Sequence, residues 1–277
     1  MKSPMISVII PVYNTGYNIS KISKRVLKQP YQNIELILIN DGSTDDSLKI
    51  MQDLEKKDSR IKIFSQENAG PAAARNTGID RATGEFIMFI DSDDDIDHNM
   101  IKKIVCKITR DNLDFVGCGL KLIDAQTGKS RDENTRQLPP VKPGESFKSY
   151  VIKLVGMDGR MYGLLGKIYR KSIIDKFKVR FDKGHHYGED LLFNLNFLAC
   201  TSKPVAFLPE ALYIYYQGTT TSISSKSALV YKNWQKNFEA LKKFAGNDKQ
   251  AAKHLLKIKL HWTASYAKLK LRAAQLK

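Results

Sequence analysis

Short runs of aliphatic and β-branched residues alternate with segments of helical period through the first third of the chain. The first run, ISVIIPV, is apolar at consecutive positions, as expected of a strand covered on both faces, and Pro11 interrupts it. Ile19, Ile22, Val26 and Leu27 then recur at helical spacing until Pro30 stops the helix. IELILIN, at 34–40, predicts a second strand, and Leu48, Met51 and Leu54 place a second helix after the turn NDGSTDDS. IKIF predicts a third strand. ENAGPAAARNTGIDRATG predicts a third helix, with Pro71 suited to its first position and Gly84 closing the segment. EFIMFI predicts a fourth strand. Strands and helices alternating in this way predict a parallel α/β sheet with right-handed crossovers.

Beyond Ile101 the alternation loosens. LDFVGCGLKLI reads as a strand bulged at its glycines, 120–144 as a polar flexible loop over or beside a site, and AFLPEALYIYY as two strands split by Pro209. GHHYGEDLLFNLNFLAC reads as a loop entering a helix with Leu191, Leu195 and Leu198 on its buried face. In the tail, Tyr231, Trp234, Phe238 and Leu241 share one helical face. Leu255, Ile258, Trp262, Tyr266 and Leu269 share another, with Gly246-Asn247-Asp248 as the turn between. There is no internal repeat.

Composition adds a size and a charge problem. A chain of 277 residues, 42% hydrophobic, can form one large domain or a domain with an appendage. The formal net charge is +16, and 226–277 holds thirteen Lys or Arg against Glu239 and Asp248 alone. The excess therefore belongs to the tail, and suggests nucleic acid, an anionic membrane surface or an anionic substrate. No recognised nucleic-acid motif is present, so no nucleic acid is expected. Cys106, Cys118 and Cys200 are widely spaced and form no CxxC pair, which suits a reducing cytoplasm and argues against disulfides or structural zinc. No run approaches the roughly 20 apolar residues of a membrane span, and the N-terminus lacks a secretory signal. The expected location is the cytoplasm, with peripheral attachment to the inner membrane face through the tail.

The candidate chemistry lies at strand ends. PVYN, NDGSTD and DSDDD follow the first, second and fourth strands, on the edge where such sheets bind ligands. Asp91, Asp93, Asp94 and Asp95 would raise one another's pKa unless a cation neutralised them. Magnesium or manganese takes one or two carboxylates and leaves the rest of its shell to phosphate and water. The bland alternative is a solvated turn capping the helix after Asp97. Asp41 can accept a hydrogen bond from a base N–H, while Ser43 or Asp45 can cap the second helix. Tyr13 can pack on a flat ring or merely within its loop. Arg75, on the small-residue helix PAAARN, can point back to the site or lie at the surface. Glu189 and Asp190 can complement a helix dipole or supply a general base, with Asp182 a further candidate. The adjacent His185 and His186 cannot both face one metal from a strand, and GCGLKL lacks a dinucleotide fingerprint.

Taken in order, SVIIPVYN, IELILINDGSTDDS, NAGPAAARNTG, ATGEFIMFIDSDDDI and the looser GKIYRKSII and GED resemble glycosyltransferase family 2 enzymes of the GT-A fold. The resemblance implies a mostly parallel α/β sheet flanked by helices over 1–222, with a nucleotide-binding half at 1–97 and an acceptor half at 98–222. The basic amphipathic helices at 226–277 then form an appendage. It also implies inverting transfer of a hexose or N-acetylhexosamine from a UDP-sugar to a hydroxyl of a glycan, lipid-linked or protein acceptor. Such reactions serve cell-surface polysaccharide, teichoic acid, glycolipid or glycoprotein synthesis. Carried onto this chain, Pro11, Val12 and Tyr13 would line base and ribose, and Asp41 would hold uracil with Arg75 nearby. Asp91 and Ser92 would meet the ribose side, Asp93 would ligate Mn2+ or Mg2+, and Asp190 would be the base. Lys167, His185, His186 and Glu189 would contact acceptor or phosphate. Asn40 stands where many relatives have a first Asp. A nucleotidyltransferase would want a glycine-rich basic loop after the first strand, which PVYNTGYN is not. Intact Asp93 and Asp190 argue against a pseudoenzyme, and the acidic sheet edge argues against a basic nucleic-acid-binding protein.

Overall fold

The structure is a computed structural model that describes residues 3–158, 160–184, 188–201, 203–218, 227–260 and 262. The chain forms two compact units. The first comprises Met1–Leu138, Leu164–Lys183 and Lys203–Ser222, and the second Pro139–Gly163, Gly184–Ser202 and Ile223–Lys277. The basic tail thus belongs to the second unit together with two internal segments, a grouping that differs from the linear division at 222.

The described strands all lie in the first unit. Four of them, β1 (Ile6–Val12), β2 (Ile34–Asp41), β3 (Ile61–Gln66) and β4 (Phe86–Phe89), pair in parallel in the order β3-β2-β1-β4. Helices α1 (Tyr17–Leu27) and α2 (Ser47–Glu55) cover one face. There Val8, Ile10, Leu36 and Leu38 meet Ile19, Ile22, Val26 and Met51, all fully buried. Each such side chain contributes roughly 1.5–3 kcal/mol of burial. Helix α3 (Pro71–Arg81) covers the other face. Its Gly78 lies so near that an added Cβ would stand 2.3 Å from Ile9 Cγ2, which explains the run of small residues. The chain therefore steps from β1 to β3 with helices on one side and returns to β4 with a helix on the other, as right-handed crossovers require.

Pro11 sits inside a central strand without cost. Ile6 N–H points to Asn33 on the β2 side, so by the two-residue period the Pro11 nitrogen faces the β4 side. Strand β4 pairs only as far as Ile9, and Ile90 N–H closes that ladder on the Ile9 carbonyl. The missing donor falls where no partner strand remains.

Beyond β4 the sheet becomes mixed. It continues as β4-β8-β6-β9-β5, with β5 (Asp95–Ile96), β6 (Phe115–Asp124), β8 (Lys167–Arg170) and β9 (Ala206–Gln217), while β7 (Ser130–Glu133) pairs with β6. Helices α4 (Met100–Arg110) and α6 (Lys171–Phe177) belong to the same unit. The irregularity expected at the glycines of β6 falls there, but the bulged strand is β9: the register shifts on both sides of Gly119, and the extra residues belong to β9. A Cβ on Gly119 would stand 2.8 Å from the Glu210 carbonyl oxygen, so the close approach there requires glycine. Two sequence expectations change. AFLPEALYIYY lies within one strand, because Cys118 pairs with Leu208 and Gly119 with Ala211, leaving Pro209 and Glu210 as the extra residues of the bulge. Part of 120–144 is an ordered hairpin, since β6 runs to Asp124 and turns into β7.

The second unit is helical in its described residues: α5 (Phe147–Asp158), α7 (Glu189–Leu198), α8 (Ser227–Ala245) and the helical run 249–260. Leu191, Leu195 and Leu198 are buried, as the spacing predicts, together with Val151, Phe238, Leu241, Leu255 and Ile258. Trp262 packs against Tyr162 and Phe238, with ring centroids 5.9 Å and 6.4 Å apart. Phe238 and Trp262 therefore have a packing role within this unit. The side chains of Tyr231 and Trp234, and the residues Tyr266 and Leu269, lie outside what is described.

Candidate functional site

The strand order dictates where a ligand can enter. Chain leaves β1 over one face toward β2 and reaches β4 over the other, so the crevice at the carboxyl ends of β1 and β4 is the topological switch point. Pro11, Val12 and Tyr13 stand at the end of β1, and Asp91, Ser92 and Asp93 follow β4. Val12 and Ser92 are buried, and Asp91 and Asp93 are half-buried. Tyr13 is 50% exposed, leaving its ring free to meet a planar group.

The crowded acids divide into different roles. Asp94 is buried and accepts the Tyr213 hydroxyl at 2.7 Å and the Tyr216 N–H at 3.3 Å. Burial first, and then the Asp91 charge, push its carboxyl well above the ordinary range. The Tyr213 oxygen in turn accepts the Asp91 N–H at 3.1 Å, so one phenol ties β9 to the turn. Asp95 is also buried. Burial would raise its pKa, but Arg25 at 2.9 Å, the Ile96 N–H and Lys21 at 3.3 Å hold it below the usual range. Asp97 accepts the Asn99 N–H at 2.9 Å in the turn before α4, a helix whose N-cap, Asn99, makes no side-chain capping bond. The expectation that all of these acids need one cation is therefore corrected. Asp94 and Asp95 are satisfied by distant parts of the chain, whereas Asp91 and Asp93 are half-buried in the turn that follows β4.

Asp91 has a partner already. Arg75, almost fully buried on α3, donates from Nη2 to Asp91 Oδ1 at 2.8 Å, and its guanidinium lies 5.6 Å from the Phe181 ring centroid. Arg75 is thus turned toward the site. Asn76 beside it donates to the Phe181 carbonyl at 2.9 Å and accepts the Phe181 N–H at 2.8 Å, tying α3 to the segment that follows α6.

The loop after β2 builds the rest of the edge. Asp41 accepts Gln66 Nε2 at 2.7 Å, Ala69 N–H at 2.9 Å and Gly70 N–H at 2.8 Å. Its carboxylate therefore organises the entry to α3, with lone-pair capacity beyond these three bonds for one further donor. Asp45 accepts Ser47 N–H and Gly16 N–H, each at 3.0 Å. Burial opposes ionisation of Asp45, but these bonds lower its pKa. Ser43 accepts the Asn14 N–H at 3.2 Å rather than capping the helix. Asn14, with φ 51°, closes the clasp through Thr44 N–H at 2.8 Å. The first loop is thus held in shape by the second.

Lys167 is buried at the start of β8 in the first unit. Glu189 and Asp190 open α7 in the second unit, both half-buried in the first turn, where their charge complements the helix dipole. Positive φ at Gly188, 86°, sets the turn into that helix. His185 and His186 lie outside the described residues. Sequence reasoning missed Tyr213, Arg25 and Asn76. Their only signals were an aromatic strand, a basic helix face and one amide among alanines, none of which names a partner.

The sequence model described as glycosyl transferase family 2 matches residues 7–183. An uncharacterized glycosyltransferase of Bacillus subtilis, EpsJ, is 31% identical over 243 residues, covering 86% of this chain and 68% of its own length. Coverage of the other curated relatives ranges from 18% to 67% of their own length. Among solved structures, S. aureus TarS 1-349 in complex with UDP-GlcNAc superposes with a TM-score of 0.72 at 22% identity, over 90% of this chain and 69% of that one. The mannosyltransferase PcManGT from Pyrobaculum calidifontis, in complex with GDP-Man and Mn2+, superposes with a TM-score of 0.62 at 14% identity, over 100% and 81%. These likenesses confirm the mixed α/β sheet flanked by helices of the GT-A fold. With more than half of its residues matched by the family model, the chain belongs to glycosyl transferase family 2.

Proposed function

We propose that this chain transfers a hexose or N-acetylhexosamine from a UDP-sugar to a hydroxyl of a glycan, lipid-linked or protein acceptor, with inversion, in cell-surface or glycoconjugate synthesis. The observation that carries this reading is the convergence of Tyr13, Asp41, the Arg75–Asp91 pair, Ser92 and Asp93 on the carboxyl edge of the parallel strands. The edge supplies an exposed ring for a base, a carboxylate with an accepting lone pair at the tip of β2, and carboxylates beside the switch point. TarS has been solved with UDP-GlcNAc, which favours a uridine donor.

The donor set fits a hard divalent ion. Among the described residues no three His, Cys, Asp or Glu stand together as a cage. One or two carboxylates, with diphosphate oxygens and water completing the shell, are what Mg2+ or Mn2+ takes. Asp93 would hold it, with Asp91 alongside. Such an ion, when bound, stabilises charge on the leaving diphosphate. Asp190 would accept the proton of the attacking hydroxyl. Arg75 orients Asp91 through its 2.8 Å contact, and Asp41 would accept the uracil N3–H.

Two readouts test this. Donor hydrolysis across UDP-sugars with manganese should single out one sugar, and UDP should compete far better than CDP, whose base lacks the N3–H. Equal competition by UDP and CDP would remove Asp41 from base recognition.

A further inference from the structure

The helical run 249–260 has no acidic residue, and its two faces are chemically distinct. Ala251, Leu255 and Ile258 are buried and form the face packed within the second unit; Gly156 lies so close that an added Cβ would stand 3.0 Å from Ile258 Cγ1. With 3.6 residues per turn, Lys249, Lys253, Leu256 and Leu260 fall on the opposite side. Leu256 is 60% exposed and Leu260 63%, and they stand one turn apart. Two leucines directed at water between lysines are more than a solvated face needs.

The flank of the same helix lines a groove with the start of α5. Lys142, Glu145, Lys153, Lys253, His254 and Lys257 supply its charge, and its volume is about 370 Å³. Its one acid, Glu145, is engaged by Lys153 Nζ at 3.1 Å to both oxygens and by the Lys142 N–H at 3.1 Å. Lys142, Lys253 and Lys257 therefore leave the groove cationic. His254 registers that field: burial first, and then Lys257, push its pKa down.

We infer that the outer face of 249–260 docks on an anionic membrane, with Leu256 and Leu260 entering the acyl boundary and the adjoining lysine groove taking a lipid phosphate. The pairing of apolar and cationic groups selects this occupant. A nucleic acid or an anionic glycan would use the lysines and leave the leucines in water. A second copy of the same face would bring lysine against lysine. A helix with a leucine strip between lysines matches the interfacial boundary, where burial and attraction to anionic headgroups act together.

The test uses the full chain and vesicle co-sedimentation, with phosphatidylglycerol–phosphatidylcholine vesicles against pure phosphatidylcholine. Wild type should bind the anionic vesicles, less so as salt rises, and bind neutral ones poorly. L256Q/L260Q and K142Q/K253Q/K257Q should each weaken anionic-vesicle binding about tenfold or more. Unchanged thermal unfolding and UDP binding would show that the variants are folded. A wild type that fails to bind anionic vesicles overturns the proposal. So does an L256Q/L260Q variant that binds as wild type, since binding would then be electrostatic adsorption elsewhere in the chain.

Discussion

Asn76 illustrates how a single amide ties α3 to a distant segment of the same unit. Its two hydrogen bonds to the Phe181 backbone are buried, so Asn76→Ala would leave an N–H and a C=O unpaired. The expected cost is about 1–3 kcal/mol, read as a lower urea midpoint at unchanged slope. Asp190 makes a different prediction. Asp190→Asn should leave UDP binding nearly intact and reduce transfer by roughly 10²–10⁴-fold, with a smaller loss for Glu189→Gln. Near-normal transfer by Asp190→Asn would move the base to another carboxylate. At this scale the sequence placed Asp41, Asp91 and Asp93 at strand ends, the positions where ligands of such sheets bind. It could not separate them from Asp94 and Asp95. Those two are satisfied by Tyr213 and Arg25, which lie 119 and 70 positions away.

Among the elements, the approach of α3 and the turn before β4 to the strands sets the tightest limits. A Cβ on Gly84 would stand 2.7 Å from the Ser7 nitrogen and 2.8 Å from the Met5 carbonyl oxygen, backbone atoms that cannot turn aside. The atoms nearest a Cβ on Gly78 all belong to the Ile9 side chain. Gly84→Ala should therefore lower the thermal midpoint more than Gly78→Ala, within the roughly 1–3 kcal/mol typical of overpacking. An equal or smaller loss at Gly84 would show that the backbone there relaxes. The parallel strands were legible because buried strands read as unbroken apolar runs. Strand β7 was not: SRDE is polar throughout, and only its pairing with 120–123 reveals it. Pro209 looked like a break because a bulge two residues wide cannot be read without its partner strand.

For the whole molecule, the opposite end of the sheet anchors stability against acid. Glu35 is buried and accepts Ser7 Oγ at 2.6 Å, Lys62 Nζ at 2.6 Å, and the Thr83 N–H and hydroxyl at 2.7 Å and 2.9 Å. Burial would raise its pKa, but the bonds from Lys62, Ser7 and Thr83 outweigh it and hold it at about 2. Because the folded value lies below the unfolded one, the contribution is complete above about pH 4.5 and is lost as pH falls through about 2. Its size at neutral pH is roughly 3 kcal/mol. Glu35→Gln should therefore be less stable than wild type at neutral pH, and urea titrations should show the gap closing through that acid window. A gap independent of pH would mean that the loss comes from packing alone. The grouping of the tail with 139–163 and 184–202 was not legible, since helical period shows which face is buried but not what buries it.

The most direct measurement is titration calorimetry of UDP against wild type and Asp93→Asn, each with manganese and then with excess chelator. Wild type should bind UDP tightly only with the metal present. Asp93→Asn should bind weakly in both conditions, with its thermal unfolding unchanged. UDP affinity that is the same with and without the metal, or undiminished in Asp93→Asn, would contradict a metal-assisted diphosphate site at the end of β4.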